Sequence, residues 1–141
     1  MALPVVLDTS IVIKWFRQEE VWAEEALGWR DAYLAGRAQV WVPSLLVYEF
    51  SNVMRYKKDM STEQVKEAVV SLYDMGLKQV LPSGAEMCRA IEVSREFQTT
   101  VYDAVFAVLA ESLNASFVTA DERLVKQLAA LPFVRFLGDG D

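Results

Sequence analysis

The 141-residue sequence contains no histidine. That absence removes the Ser-His-Asp and Cys-His catalytic arrangements, which need an imidazole as base, and every zinc site built on imidazole ligands. A single cysteine, Cys88, closes two further routes, because an internal disulfide or a thiolate zinc site needs more than one thiol. Cys88 falls in a helix-like stretch and is expected to be a small buried hydrophobe. Basic residues are outnumbered, 14 against 20 acids, giving a formal net charge of −6 and a pI near 4.7. Proteins that grip phosphate backbones through a basic surface usually carry the opposite imbalance, although acids that hold a divalent cation invert the field locally. No apolar run approaches the roughly 20 residues of a membrane span. The N-terminus also lacks a basic segment leading into a signal-like apolar run, so a cytoplasmic protein without membrane attachment is expected. Linkers, repeats and low-complexity tracts are missing too, and residues 1–141 are expected to form one domain. Any catalysis must draw on carboxylates, hydroxyls, lysines or an oxygen-bound metal.

What is present is a regular alternation of short apolar runs and longer helical patterns. Val5-Val6-Leu7 is uniformly apolar, as suits a strand buried on both faces of a parallel sheet, and it ends abruptly in Asp8-Thr9-Ser10. Further strands are expected at 39–42, 79–81 and 116–118, with an edge strand at 133–137. The helices expected between them cover 11–17 (capped by Ser10), 19–34 (ended by Gly36), 45–57, a segment from a Ser61–Gln64 capping box to Gly76, 85–97, 100–113, and a last one reaching Ala130. Residues 104–110 are apolar all round, so their helix should be central and buried on most sides. Trp22, Ala26, Trp29 and Tyr33 recur at helical spacing, a stripe better suited to a core or a subunit contact than to stacking on bases. The tail 138–141 is expected to fray. The alternation predicts an α/β fold, a three-layer α/β/α sandwich with a four- or five-stranded, mostly parallel sheet.

Four acids stand where such a fold concentrates its chemistry. Asp8 and Asp121 follow apolar strands, Asp103 lies in the first turn of the buried helix, and Glu49 sits on the border of the apolar face made by Leu46, Phe50, Val53 and Met54. Each has a structural alternative. Asp8 suits an Asx-turn or a helix cap; Glu49 suits a solvated helix face. Thr100 with Asp103, and Thr119 with Glu122, each fit a capping box. Taken together, all four point to the carboxyl edge of one sheet, where open α/β folds bind ligands. Crowded carboxylates raise one another's pKa unless a cation sits among them, and a hard divalent ion, Mg²⁺ or Mn²⁺, suits an all-oxygen donor set. Such a site keeps open coordination positions for water and phosphate. Lys14 and Arg17, close to Asp8, fit phosphate contacts or solvated helix charge equally well.

The segments Leu-Asp-Thr-Ser (7–10), Val-Tyr-Glu-Phe-Ser-Asn-Val (47–53), Tyr-Asp-Ala-Val-Phe-Ala-Val-Leu-Ala (102–110) and Val-Thr-Ala-Asp-Glu-Arg-Leu (118–124) together resemble the PIN-domain family. Within it they are most similar to the VapC-type toxins of toxin–antitoxin pairs, and the resemblance spans essentially the whole chain. It implies a Mg²⁺- or Mn²⁺-dependent endoribonuclease with Asp8, Glu49, Asp103 and Asp121 as its acidic site and the hydroxyls of Ser10 and Thr119 beside them. It also implies an RNA substrate, a cognate antitoxin and a homodimer. Exposure of Trp15 or Trp22 would mark either as part of a partner surface. The alternatives are a PIN-like scaffold without activity and a metal-dependent phosphatase. The Asp-x-Asp signature of the latter is not met, because Ser10 occupies the second acid's place. The Gly-x-Gly-x-x-Gly of a dinucleotide site is absent.

Overall fold

The computed structural model describes residues 2–140. Five strands and seven helices follow in order: β1 (Leu3–Leu7), α1 (Thr9–Lys14), α2 (Ala23–Leu34), β2 (Ala38–Pro43), α3 (Leu45–Arg55), α4 (Thr62–Asp74), β3 (Lys78–Val80), α5 (Gly84–Phe97), α6 (Val101–Leu113), β4 (Ser116–Thr119), α7 (Glu122–Gln127) and β5 (Val134–Phe136). The strands form one all-parallel sheet in the order β3-β2-β1-β4-β5. From β1 the chain winds outward through β2 to β3, then crosses to β4 and β5 on the other side. Right-handed crossovers therefore put α1–α4 on one face and α5–α7 on the other. The packing agrees: α1 lies against α2 and α3, α3 against α4, and α5 along α6. The order reverses between β1 and β4, so the crevice at the carboxyl ends of these two strands is the place where such sheets bind ligands.

The central helix is α6. Ala104 through Ala110 are all buried, and the helix lies across β1, β2 and β4. Phe106 stacks on Phe117 of β4 with ring centroids 5.9 Å apart; burying each such ring stabilises the fold by about 1.5–3 kcal/mol. This packing fixes the first turn of α6, and Asp103 with it, at the crevice. On the opposite face, Leu46, Phe50 and Met54 of α3 are fully buried, which holds Glu49 beside the same crevice. Val53, expected on that buried face, is 36% exposed and faces the crevice instead.

Several boundaries differ from the sequence expectation for local reasons. Helix α1 starts at Thr9, two residues early, because Asp8 takes the extended N-cap conformation (φ −68°, ψ 154°); Ser10 is therefore inside the helix and does not cap it. Helix α2 starts only at Ala23, because Trp22 adopts a left-handed conformation (φ 67°) that a helix cannot include. At its other end Gly36 (φ +77°) closes the turn, with the amides of Gly36 and Arg37 bonded to the carbonyls of Tyr33 and Ala32. The Ser61–Gln64 capping box forms as expected, and Ser83–Glu86 forms another.

Three expectations are corrected. Cys88 is exposed on α5, not buried. Trp15 is 3% exposed and donates its indole N–H to the Ala26 carbonyl at 2.8 Å, so it belongs to the core and not to a partner surface. Trp22 remains 37% exposed, its ring edge-on to Phe136. The tail is ordered through Gly140: residues Leu137–Asp139 form a 3₁₀ turn with Leu137 buried, and Arg135 donates to the Gly140 carbonyl at 2.8 Å. Gly138 is required there, since a Cβ would lie 2.5 Å from Phe136 and 3.0 Å from Trp22. Asp141 of the expected frayed tail lies outside the described residues.

Candidate active site

Asp8 is the first residue beyond β1, its amide bonded to the Val118 carbonyl at 3.0 Å, so the neighbouring strand β4 fixes its backbone. The side chain is 8% exposed. Its Oδ2 accepts two hydroxyl hydrogen bonds, from Ser10 at 2.7 Å and from Thr119 at 2.8 Å. Both donors are themselves anchored. Thr119, fully buried at the end of β4, accepts from the Asp121 amide at 3.1 Å, and Ser10 accepts from the Ala120 amide at 3.1 Å. A chain of hydroxyls thus ties the end of β1 to the turn after β4 and holds the Asp8 carboxylate by one oxygen.

Glu49 reaches the same place from α3. Its Oε1 accepts a hydrogen bond from the Thr9 hydroxyl at 2.6 Å. Asp103 arrives from the first turn of α6, where the Thr100 hydroxyl accepts from its amide at 3.0 Å. That is half of the anticipated capping box. Asp8, Thr9, Ser10, Ile13, Glu49, Asn52, Val53 and Asp103 line one open cleft of about 350 Å³. Asp121 is exposed and stands outside this lining. It is the N-cap of α7, with Oδ1 accepting from the Leu124 amide at 3.1 Å; the expected Thr119–Glu122 box does not form, because Thr119 is turned inward to Asp8.

The electrostatics follow from this geometry. Burial pushes the Asp8 carboxyl above its ordinary pKa; the Ser10 and Thr119 hydroxyls and the Thr9 backbone oppose the shift, and the Asp121 charge adds to it. Glu49 is raised by burial and by the charges of Asp8 and Asp103, against the Thr9 hydrogen bond. Asp103 is raised by burial, then by Asp8 and Asp121, with Thr100 and a weaker pull from Arg123 in opposition. Asp8 and Asp103 therefore act on Glu49, and the Asp121 charge acts on Asp8 and Asp103. Among the described residues none of them forms an ion pair.

Lys14 and Arg17 point elsewhere. Lys14 pairs with Glu20 at 3.2 Å, and Arg17 holds both oxygens of Asp59 at 2.9 Å. Neither lines the cleft. Thr9 and Asn52 do, and were not singled out in the sequence. Asn52 was legible in principle, one helical turn from Glu49; Thr9 was not, since its partner is 40 residues away.

The donor set suits a hard divalent cation: all oxygen, without an ion-pair partner among the described residues, and destabilised by its own repulsion. Among the described residues no three acids converge into a preassembled cage, so the cluster is matched to a cation in charge and donor type and open in arrangement.

Similar folds are known. A protein from Pyrobaculum aerophilum (PAE2754) superposes with a TM-score of 0.73 at 17% identity, covering 99% of this chain and 87% of that one. A toxin–antitoxin complex from Klebsiella pneumoniae gives 0.68 at 18% identity, with 92% and 94% covered. VapC20 of Mycobacterium tuberculosis, a sarcin–ricin loop cleaving toxin, gives 0.68 at 12%, with 92% and 96% covered. No curated protein matches this chain in sequence. The family model for the PIN domain matches residues 5–130, from the strand that delivers Asp8 to the helix that follows Asp121, and the chain belongs to the PIN domain family.

Proposed function

We propose that this protein is a Mg²⁺- or Mn²⁺-dependent endoribonuclease that hydrolyses RNA phosphodiester bonds, the toxin of a toxin–antitoxin pair. The observation that carries the reading is the group of buried or half-buried acids, Asp8, Glu49 and Asp103, lining one cleft of a PIN domain chain with hydroxyls and no basic residue as partners. Asp8, Glu49 and Asp103 would hold the cation, and Asp121, outside the cleft lining, adds charge that acts on Asp8 and Asp103. When bound, the cation supplies a lowered pKa for an attacking water and neutralises charge on the phosphodiester. The chain's own contribution is orientation. Ser10 and Thr119 hold Asp8 by Oδ2; burial first, and then the neighbouring acid charges, raise the carboxyl pKa values, and a divalent charge would relieve the repulsion.

Partners follow from the same reading. Toxin–antitoxin complexes are among the similar folds, which supports a cognate antitoxin. Tyr48 and Tyr56 at α3, and Val70 and Tyr73 on the adjoining α4, are exposed and give such a partner apolar surface next to the helix that carries Glu49. A homodimer acting in the cytoplasm completes the proposal; no helix among the described residues is long and apolar enough to cross a membrane. The test is cleavage of RNA with Mn²⁺ by the wild type, Asp8→Asn and Asp103→Asn. Cleavage by the wild type alone is expected, and equal activity in all three would sink the assignment. The open arrangement of the acids favours one rival, a metal-binding scaffold, whose signature is Mn²⁺ binding without cleavage of any RNA.

A further inference from the structure

Glu49 is the acid least constrained by its own element. It projects from the middle of α3 on a side chain with three rotatable bonds, and in charge it is repelled by Asp8 and Asp103. One group opposes that repulsion, the Thr9 hydroxyl, which donates to Oε1 at 2.6 Å. Thr9 is 6% exposed, so water cannot readily take over the bond. Its backbone is fixed as the first residue of α1, directly after Asp8, and a β-branched side chain has few rotamers to choose from there.

We propose that Thr9 is a positioning residue for Glu49. By occupying Oε1 it sets the distance between the Glu49 and Asp8 carboxylates and leaves Oε2 for the cation. The inference rests on the metal-dependent reading of the site and adds a residue to it. Residues 8, 9 and 10 then form one device: Asp8 is an acid of the site, Ser10 locks Asp8, and Thr9 reaches across to an acid on another helix. Residues that orient a metal ligand typically change affinity or activity by about 10–100-fold when removed.

The test measures Mn²⁺ affinity by titration calorimetry on the full chain, alongside RNA cleavage. Thr9→Val keeps the shape and deletes the donor; Thr9→Ser keeps the donor. Thr9→Val should bind Mn²⁺ about 10–100-fold more weakly, Thr9→Ser should match the wild type, and Thr9→Val should add nothing in a Glu49→Ala background, which has no acceptor for Thr9. A purely structural role for Thr9 would persist in that background. Melting in EDTA identifies any variant that has not folded, and Thr9→Ala replaces Thr9→Val if it has not. Wild-type affinity in the donor-less variant, tighter binding, or an equal loss in the Glu49→Ala background overturns the proposal while the nuclease reading stands. Absence of Mn²⁺ binding by the wild type overturns both.

Discussion

Two acid-rich regions lie within a few residues of each other in this chain and treat their charge in opposite ways. Around the 17–20 turn, every acid has a basic partner: Glu20 bonds Lys14 and Lys57, and Asp59 takes both oxygens to Arg17. The Arg17 guanidinium holds the Asp59 carboxyl below its ordinary pKa. At the end of β1, Asp8 and Glu49 are held by hydroxyls and, for Asp8, the Thr9 backbone, with no ion-pair partner; burial raises both, and the Asp8 charge repels Glu49. The first region fastens a turn to the end of α3 through charges that cancel. The second spends folding energy on charges that do not cancel, which makes sense only if something else cancels them. Hydroxyls are suited to that task, since they fix one oxygen of a carboxylate without neutralising it.

The largest expected effect of breaking this contrast is at the acids. Asp8→Asn and Asp103→Asn should each lower Mn²⁺-dependent RNA cleavage by more than about 100-fold, beyond the range typical of groups that only orient a ligand; single-turnover rates check this. Next come the orienting hydroxyls. Thr119→Val removes the buried donor to Asp8 and should cost about 10–100-fold in Mn²⁺ affinity, with recovery in Thr119→Ser, both read by calorimetry.

A third prediction concerns pH. Asp8, Glu49 and Asp103 have raised pKa values when folded, so in EDTA the folded state binds more protons than the unfolded chain. Their contribution is therefore fully present below the ordinary carboxylate range, around pH 4, and is lost as pH rises through the raised values. Denaturant melts in EDTA across this window should show a smaller loss for Asp8→Asn, whose side chain cannot ionise, than for the wild type. Saturating Mn²⁺ should reduce the wild-type loss as well. Identical pH slopes in the two proteins would mean that the cluster is not strained by its charge. The smallest effect on activity belongs to the paired region: Arg17→Ala should leave RNA cleavage unchanged and lower the melting temperature modestly, through lost packing of a side chain that is 14% exposed. A marked loss of cleavage would instead restore Arg17 as a phosphate contact.

Much of this was legible before any coordinates. The strand at 5–7, the Ser61–Gln64 cap, Gly36 as a helix stop and the all-apolar helix through 104–110 are local signals, and each depends on neighbours within a few residues. The expectations for Trp15 and Cys88 failed for a shared reason. Helical spacing tells which residues share a face; it does not tell which face another element will cover. The tail through Gly140 is held, against the expectation of fraying, by anchors distant in sequence: Trp22 and the core beneath Leu137.

The sequence by itself determined the α/β alternation, the carboxylate chemistry left once histidine is missing, and the positions of Asp8, Glu49, Asp103 and Asp121 relative to their own strands and helices. Only the tertiary structure decided how those acids are used. It brought Thr119 to Asp8 across 111 positions and Thr9 to Glu49 across 40, placed Asp121 outside the cleft lining as a helix cap, and committed Lys14 and Arg17 to other acids. The physical reason is that hydrogen bonds and ion pairs are satisfied by whichever group folding brings within about 3 Å. In a parallel sheet those partners come from neighbouring crossovers that local sequence does not encode.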